Sequence, residues 1–243
     1  MTKTPQRREI KKPKKQTQLL KKSDLEKITL LNSQEQYLNT IKNYDITFCY
    51  GPAGTSKTFT ACLAALQLYI DGKIDKIILS KPIHESGEKL GFLPGDVNEK
   101  IDPFMESYRS NLVKLLKNVD NVNWLETIGV IEYRPLAYMR GATFDNCLMI
   151  LDESQNANFK QLMLFITRLG NDSKALICGD ISQSDISREQ VALPEFINLL
   201  KDIPGIAVHN FTELDVMRKK ILKDIINRYE NWKTKNANHK FLK

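Results

Sequence analysis

The sequence has few of the residues on which extracellular and zinc-binding proteins rely. Its 243 residues include four cysteines and three histidines, and no pair of cysteines has the C-x-x-C spacing. This usage argues against a disulfide framework or a zinc site, and it favours buried, reduced thiols in a cytoplasmic protein. The four cysteines are Cys49, Cys62, Cys147 and Cys178.

Long hydrophobic runs are also missing. No segment reaches the roughly 18 apolar residues of a membrane-spanning helix, and the basic N-terminus is not followed by the apolar stretch of a secretion signal. Hydrophobic residues make up 42% and charged residues 27% of the chain, which is ordinary globular usage. The length suits one buried domain better than two nucleotide-binding domains of about 150 to 200 residues each.

Positive charge is concentrated at the N-terminus. The whole chain has a formal net charge of +7, but residues 1–22 hold nine Lys or Arg and one Glu, which leaves −1 for the rest. We predict that this basic arm is disordered, and that it either binds a polyanion such as nucleic acid or only aids solubility. One domain is expected over residues 23–232, followed by a frayed tail over residues 233–243.

Residues 51–58, G-P-A-G-T-S-K-T, indicate a phosphate-binding loop. Its glycines let successive backbone N–H groups turn inward, Lys57 adds a positive charge, and the Thr58 hydroxyl is placed for Mg²⁺. One residue departs from the pattern G-x-x-x-x-G-K-[ST], because Ser56 stands where glycine is expected. The alternative is a chance glycine-rich turn. The predicted ATP contacts are the residues of this stretch and the one after it: Gly51, Pro52, Ala53, Gly54, Thr55, Ser56, Lys57, Thr58 and Phe59.

Apolar runs alternate with helical stretches on both sides of that loop. The expected strands are 45–50, 75–80, 129–133, 147–151, 174–178 and 206–211. The expected helices are 32–41, 58–70, 98–117, 158–169, 194–200 and 216–232. This alternation predicts an α/β fold of three layers, with a mainly parallel sheet flanked by helices.

Two of these strands end in polar residues with a possible role in hydrolysis. Asp152 and Glu153 follow strand 147–151, where Asp152 would hold Mg²⁺ through water and Glu153 would orient or deprotonate the attacking water. The alternative is an ordinary strand followed by a helix cap. Strand 174–178 leads into G-D-I-S-Q, in which Gln183 is the candidate sensor of the γ-phosphate.

Residues 81–102 form a long segment broken by proline and glycine, which either binds a ligand or is a simple surface excursion. Its basic residues, with Arg140 before Gly141, are the candidates for nucleic-acid contacts; Arg140 could equally be an ordinary surface arginine. Arg168 either complements the dipole of its helix or takes part in catalysis. The nucleic-acid candidates are Lys81, His84, Lys89 and Arg140.

Five motifs occur in the order G-P-A-G-T-S-K-T, S-K-P-I-H-E-S-G-E-K-L-G-F-L-P-G, P-L-A-Y-M-R-G, I-L-D-E-S-Q and G-D-I-S-Q. Together they resemble the PhoH-like family of P-loop ATPases over residues 32–232. The resemblance implies a RecA-like core related to the N-terminal half of superfamily 1 helicases, which uses ATP and Mg²⁺ and acts on RNA. It also implies that Gln34 recognises adenine and that Gln183 belongs to the GDxxQ motif.

The main hypothesis is an Mg²⁺-dependent ATPase that couples hydrolysis to binding or moving single-stranded RNA or DNA. One core supplies one wall of the nucleotide cleft, so we predict a homo-oligomer, with a hexameric ring as one form, in which Arg140, Arg168 or Arg218 reaches a neighbour. The alternatives are a small-molecule or nucleotide kinase and a nucleic-acid-binding ATP switch with little turnover. The predicted catalytic residues are Lys57, Glu153, Gln183, Arg168 and Arg218.

Overall fold

Strands and helices alternate along the chain, as the sequence pattern predicts. The computed structural model describes residues 22–82, 97–181 and 192–217, together with residues 221, 222, 224, 225, 228, 229 and 232. For residues 97–103 only the backbone is described. The predicted basic arm lies outside the described residues except for Lys22, and the predicted C-terminal tail lies outside them entirely.

The described part contains six strands and seven α-helices with defined bounds, and the residues described between 221 and 232 are also helical. The helices are α1 (Lys22–Glu26), α2 (Asn32–Asn43), α3 (Lys57–Ile70), α4 (Val97–Leu116), α5 (Val119–Thr127), α6 (Phe159–Ile166) and α7 (Leu193–Leu200). The strands are β1 (Ile46–Tyr50), β2 (Lys76–Ser80), β3 (Ile131–Tyr133), β4 (Cys147–Leu151), β5 (Lys174–Gly179) and β6 (Ile206–Asn210). Short 3-10 helices cover Leu136–Met139, Ser154–Asn156 and Glu213–Asp215.

The six strands form one sheet in the order β3-β2-β4-β5-β1-β6, and every neighbouring pair is parallel. Strand β5 therefore separates β1, which leads into the phosphate-binding loop, from β4, which leads into the two carboxylates. All the strands end at one edge, called the carboxyl edge below. A parallel sheet needs both faces covered, and all five residues of β4 are buried accordingly.

Helices cover both faces of this sheet, so the predicted three-layer α/β fold is confirmed. Alternate residues of β4 enter two separate cores. Leu148 and Ile150 pack with α1 to α5 on one face, whereas Met149 and Leu151 pack with α6 and α7 on the other. This alternation is the period-two geometry of a strand buried on both sides.

The structure corrects two details of the sequence-based assignment. Lys22, which we placed in the basic arm, is the first residue of α1, and its Nζ lies 2.6 Å from Asp71 Oδ1. Helix α5 was not predicted. It begins at the cap residue Asn118, whose side chain accepts a hydrogen bond from the backbone N–H of Asp120 over 2.8 Å.

The predicted burial of the cysteines is confirmed. All four are buried and free. Cys49 and Cys178 lie opposite each other on β1 and β5, and the Tyr37 hydroxyl lies 3.0 Å from Cys178 Sγ. Burial raises the pKa of the Cys178 thiol well above its ordinary value, so this sulfur stays protonated near neutral pH.

No helix within the described ranges is long and apolar enough to span a bilayer.

Candidate functional site

The phosphate-binding loop connects the end of β1 to the start of α3. Three of its residues have positive φ: Gly51 at 149°, Gly54 at 90° and Ser56 at 66°. This curled backbone brings the chain to the N-terminus of α3, where the free N–H groups and the helix dipole favour an anion. The sequence motif therefore has the strand, loop and helix context that it requires.

Gly51 is needed for a steric reason as well as for its backbone angle. A Cβ atom at this position would lie 2.5 Å from the carbonyl oxygen of Phe211 and 2.7 Å from the Cβ of Phe211. Real Cβ atoms do not approach other atoms so closely, so the chain after β6 can press on the loop only because residue 51 is glycine.

Ser56, the departure from the motif, lies in the left-handed region at φ 66° and ψ 29°. Glycine reaches this region freely, whereas an L-residue pays roughly 1–2 kcal/mol. The motif has glycine here because of this backbone angle. The Ser56 side chain offsets little of the cost, since its hydroxyl reaches only Met217 Sδ, at 3.9 Å.

The side chain of Lys57 folds back over the mouth of the loop. Its Nζ donates to the carbonyl oxygens of Gly51 over 2.6 Å and of Pro52 over 2.9 Å. The loop is braced at the same place, because Thr55 Oγ1 also donates to the Pro52 oxygen over 3.0 Å. The ammonium group is thus held beside the inward-facing backbone of the loop, where an anion can replace one of the carbonyls.

Thr58 and Asp152 meet across the space between α3 and β4. Thr58 Oγ1 donates to Asp152 Oδ2 over 2.8 Å, and Asp152 is only 4% exposed. A hydroxyl and a carboxylate are the hard oxygen donors that Mg²⁺ prefers, and it binds them directly or through its waters. The two side chains predicted as the metal site are therefore brought together in an arrangement that fits Mg²⁺.

The residues after β4 form a tight bend, called the acidic turn below (residues 152–156). Glu153 has φ 55° and ψ 34°, which is the left-handed region again. Its carboxylate accepts a hydrogen bond from Gln155 Nε2 over 2.7 Å, and Gln155 Oε1 accepts one from the backbone N–H of Asp180 over 2.9 Å. Gln155 therefore orients the Glu153 carboxylate and ties it to the end of β5.

These groups surround one cavity of about 260 Å³ at the carboxyl edge. The phosphate-binding loop and the first turn of α3 form one wall, with Lys57 and Thr58 among the lining residues. Asp152, Glu153 and Asp180, at the ends of β4 and β5, also line the cavity, as does Asn111 of α4. The cavity is therefore lined by a lysine, a hydroxyl and several carboxylates, which is a suitable set for a phosphate chain carrying a divalent cation.

A larger cavity, of about 730 Å³, lies near the amino ends of the strands, beside Asp45, Asp172 and Lys174. Lys174 Nζ donates to the Tyr44 carbonyl oxygen over 2.7 Å, and burial lowers the pKa of this lysine. No helix N-terminus or glycine loop faces this space among the residues that line it. The smaller cavity is the one whose lining matches the chemistry of the sequence motifs.

Gln34 supports the loop from outside. Its Nε2 lies 3.4 Å from the Thr55 carbonyl oxygen and 3.1 Å from Met217 Sδ, and its Oε1 accepts the backbone N–H of Leu31 over 3.0 Å. The backbone N–H of Met217 in turn donates to the Gly54 carbonyl oxygen over 2.9 Å. Gln34 and Met217 thus hold the tip of the loop between them.

None of the three basic candidates that the structure describes is among the residues lining the cavity. Arg168 is near the amino end of β4, where its Nη1 donates to the Ala142 carbonyl oxygen over 3.1 Å and its own carbonyl accepts the N–H of Phe144. Arg140 is exposed. Lys81 Nζ donates to Ser107 Oγ over 2.7 Å and lies 5.6 Å from the centre of the Tyr108 ring. The remaining predicted residues lie outside the described part: Gln183, Arg218, His84 and Lys89.

Four residues at the site were not predicted. Gln155 belongs to the motif I-L-D-E-S-Q, so its position just after the two carboxylates could have identified it as a site residue. Asp180 belongs to the motif G-D-I-S-Q, and its position at the end of β5 could have identified it in the same way. Asn111 and Met217 had no local signal, because tertiary packing alone brings α4 and the chain after β6 to the loop.

Comparison with known proteins finds one family over most of the chain. A family model described as "PhoH-like protein" matches residues 27–230. A PhoH-like protein of Synechocystis sp. is 42% identical over 198 residues, which are 81% of this chain and 60% of the relative. A PhoH-like protein of Bacillus subtilis is also 42% identical, over 81% of this chain and 62% of the relative. The chain thus spans about three fifths of the length of these curated relatives.

Among solved structures, the large terminase from a thermophilic bacteriophage matches with a TM-score of 0.53 and 13% sequence identity. The match covers 83% of this chain and 50% of the terminase. At this identity the likeness concerns the fold alone, and it agrees with the parallel α/β architecture described above.

Proposed function

This chain belongs to the PhoH-like family, and from that premise we propose that it is an Mg²⁺-dependent ATPase that cleaves the bond between the β- and γ-phosphates. One observation supports the proposal most: Thr58 and Asp152 meet at 2.8 Å beside the cavity that Lys57 and Glu153 also line. A P-loop NTPase fold does not choose a reaction by itself. The proposal therefore depends on these four side chains.

Each of these side chains has a chemical role in the proposal. Lys57 exchanges its carbonyl partners for oxygens of the β- and γ-phosphates and stabilises their charge. Glu153, oriented by Gln155, accepts a proton from the attacking water. Thr58 and Asp152 would hold Mg²⁺, which when bound neutralises charge on the phosphate oxygens. Gln183, outside the described residues, is the proposed γ-phosphate sensor.

Gln34 is proposed to recognise adenine, as the family resemblance implies. Its Nε2 lies close to Met217 Sδ, and a thioether is a weak acceptor that a base nitrogen can replace. The proposed ATP contacts therefore extend from Gln34 through the loop to Phe59, which also lines the cavity.

Hydrolysis is proposed to be coupled to single-stranded RNA or DNA. The exposed Arg140, Lys81 beside the aromatic ring of Tyr108, and the basic residues of the N-terminal arm support this step. His84 and Lys89 remain candidates from the sequence. An alternative is a nucleic-acid-binding ATP switch with little turnover, and the left-handed backbone at Ser56 favours it, because that angle is costly for serine.

The cleft is proposed to be completed by a second copy of the chain. Among the described residues that line the cavity there is no arginine, whereas related hydrolysis reactions use one to stabilise the transition state. Arg140, Arg168 or Arg218 of a neighbour would supply it in a homo-oligomer, for example a hexameric ring. Size-exclusion chromatography with light scattering tests this; a monomer that hydrolyses ATP at full rate contradicts it.

The central test is phosphate release from MgATP by the wild type and by Lys57→Ala, with and without single-stranded RNA or DNA. We expect the variant to lose about 100-fold in turnover, because it lacks the cation that stabilises the developing charge. We also expect single-stranded nucleic acid to stimulate the wild type, with a response that weakens as salt rises.

Lys160→Ala is the matched control, because Lys160 is an exposed lysine on α6. It should hydrolyse ATP like the wild type. If Lys57→Ala retains normal turnover, the assignment of the site is wrong. If the wild type binds ATP and nucleic acid but releases no phosphate under any condition, the protein is a nucleic-acid-binding ATP switch and not an ATPase.

A further inference from the structure

Asn111 is the only residue lining the cavity, among those described, that comes from neither the phosphate-binding loop with α3 nor the ends of β4 and β5. It belongs to α4, which begins at Val97, within the segment 81–102 that was predicted to be irregular, and which shares one core with α3. The residue is half-buried. The structure therefore places a neutral amide side chain among the charged groups that line the cavity.

Helix α4 is fixed to the sheet one turn before Asn111. The Tyr108 hydroxyl lies 2.9 Å from the Ser80 carbonyl oxygen and 3.3 Å from the Ile150 carbonyl oxygen, near the carboxyl ends of β2 and β4. Tyr108 is fully buried, and burial raises its pKa well above the ordinary value, so it remains a hydrogen-bond donor. This anchor holds the position of Asn111 relative to the strand that carries Asp152.

The amide of Asn111 has the chemistry to bind a phosphate oxygen. Its Nδ2 donates to the Ser107 carbonyl oxygen over 2.8 Å, which uses one of the two N–H groups of the amide and leaves the other for a ligand. The carboxylates of Asp152 and Glu153, which line the same cavity, repel a bare phosphate. A neutral donor beside them adds a hydrogen bond without adding charge to the site.

From this geometry we infer that Asn111 donates a hydrogen bond to the terminal phosphate of a bound nucleoside triphosphate, and so helps the site to distinguish triphosphate from diphosphate. The inference rests on the proposed function, because it takes the cavity to be the phosphate site. It adds a contact from α4 to the contacts that the motifs supply. The competing view is that Asn111 only bonds back to the preceding turn of its own helix, as asparagine often does.

The test compares the affinities of the wild type, Asn111→Ala and Asn111→Asp for two ligands, each measured by calorimetry with Mg²⁺. One ligand is ADP and the other is an ATP analogue whose β–γ bridge resists hydrolysis. We expect Asn111→Ala to weaken binding of the analogue about 10-fold, because a hydrogen bond to a charged group is lost. Binding of ADP should stay within about 2-fold. Asn111→Asp should weaken analogue binding further, because its carboxylate repels the phosphate.

Asn198→Ala is the matched control, since Asn198 is an exposed asparagine on α7; it should bind both ligands like the wild type. Retained ADP affinity shows that a variant is folded, and the isosteric Asn111→Asp gives a second measurement if the alanine variant is unstable. If both variants keep the wild-type ratio of the two affinities, the inference is wrong while the proposed function stands. If the wild type binds neither ligand, the proposed function fails and the inference with it.

Discussion

Two loops at the carboxyl edge share an uncommon backbone feature. The phosphate-binding loop has Ser56 at φ 66°, and the acidic turn has Glu153 at φ 55°. Both are L-residues in the left-handed region, which costs each about 1–2 kcal/mol. Both residues also line the same cavity. Each of the two loops thus places one strained residue at the same cavity, at a similar cost in folding free energy.

The side chains of Ser56 and Glu153 differ in the hydrogen bonds that they make. The Glu153 carboxylate accepts a 2.7 Å hydrogen bond from Gln155, which is itself fixed by the backbone N–H of Asp180. The Ser56 hydroxyl reaches only a sulfur at 3.9 Å. A strained backbone that aims a proton acceptor into a cavity is typical of a functional site. At Ser56 the same strain has no comparable contact, so the two positions should respond in opposite ways to mutation.

The largest expected effect is at the acidic turn. Glu153→Gln keeps the size of the side chain but removes the proton acceptor, so turnover of ATP should fall about 10² to 10⁴-fold. Affinity for MgATP should remain close to that of the wild type, because Lys57, Thr58 and Asp152 are unchanged. Single-turnover phosphate release and calorimetry with a nonhydrolysable analogue measure the two quantities.

The matched control for this variant is Glu195→Gln, which changes an exposed glutamate on α7. It should leave turnover unaltered. If Glu153→Gln hydrolyses ATP as fast as the wild type, the strained backbone of the acidic turn does not serve catalysis. The acidic turn and the phosphate-binding loop would then differ only in the hydrogen bonds of their strained residues.

The next largest effect is expected at Gly51, at the start of the phosphate-binding loop. Gly51→Ala adds a Cβ atom 2.5 Å from the Phe211 carbonyl oxygen, at a φ of 149°. We expect the free energy of unfolding to fall by about 2–4 kcal/mol, since the clash and the backbone strain add. Urea unfolding followed by circular dichroism measures the change.

Gly129→Ala is the control that introduces backbone strain without a clash. Gly129 has φ 71°, and a Cβ atom added there would meet no other atom within 4 Å. This variant should lose the cost of positive φ, about 1–2 kcal/mol, but gain about 0.5–1 kcal/mol because the unfolded chain has one glycine fewer, so the net loss should be about 0.5–1 kcal/mol. Equal losses in both variants would mean that the contact with Phe211 adjusts, and that the loop is less tightly packed than the distances indicate.

The parts of the site that could be predicted are those carried by short contiguous segments. Lys57 and Asp152 are far apart in sequence, yet both follow strands of a parallel sheet, so their meeting at one edge follows from the strand pattern. Ser56 was recognised as a departure from the motif, but only the φ of 66° explains why glycine is the usual residue.

The parts that could not be predicted depend on how distant segments pack. Asn111 reaches the cavity because Tyr108 anchors α4 to β2 and β4, and no motif marks that anchor. Met217 reaches the loop because the chain turns back after β6, and its N–H then finds the Gly54 oxygen. Helix α5 escaped notice because its nine residues are too few to establish a helical periodicity, although four of them are apolar.

The smallest expected effect has the opposite sign, and it sharpens the comparison between the loops most directly. Ser56→Gly removes the left-handed strain of roughly 1–2 kcal/mol but adds the entropy cost of glycine, about 0.5–1 kcal/mol. The free energy of unfolding should therefore rise by about 0.5–1 kcal/mol, while ATP turnover stays equal to the wild type or increases. Lys117→Gly, at φ 54° on an exposed residue after α4, should give a similar gain in stability without changing turnover. If Ser56→Gly instead lowers both stability and turnover, the serine hydroxyl contributes to the loop more than its 3.9 Å contact indicates, and Ser56 joins Glu153 as a strained residue kept for its side chain.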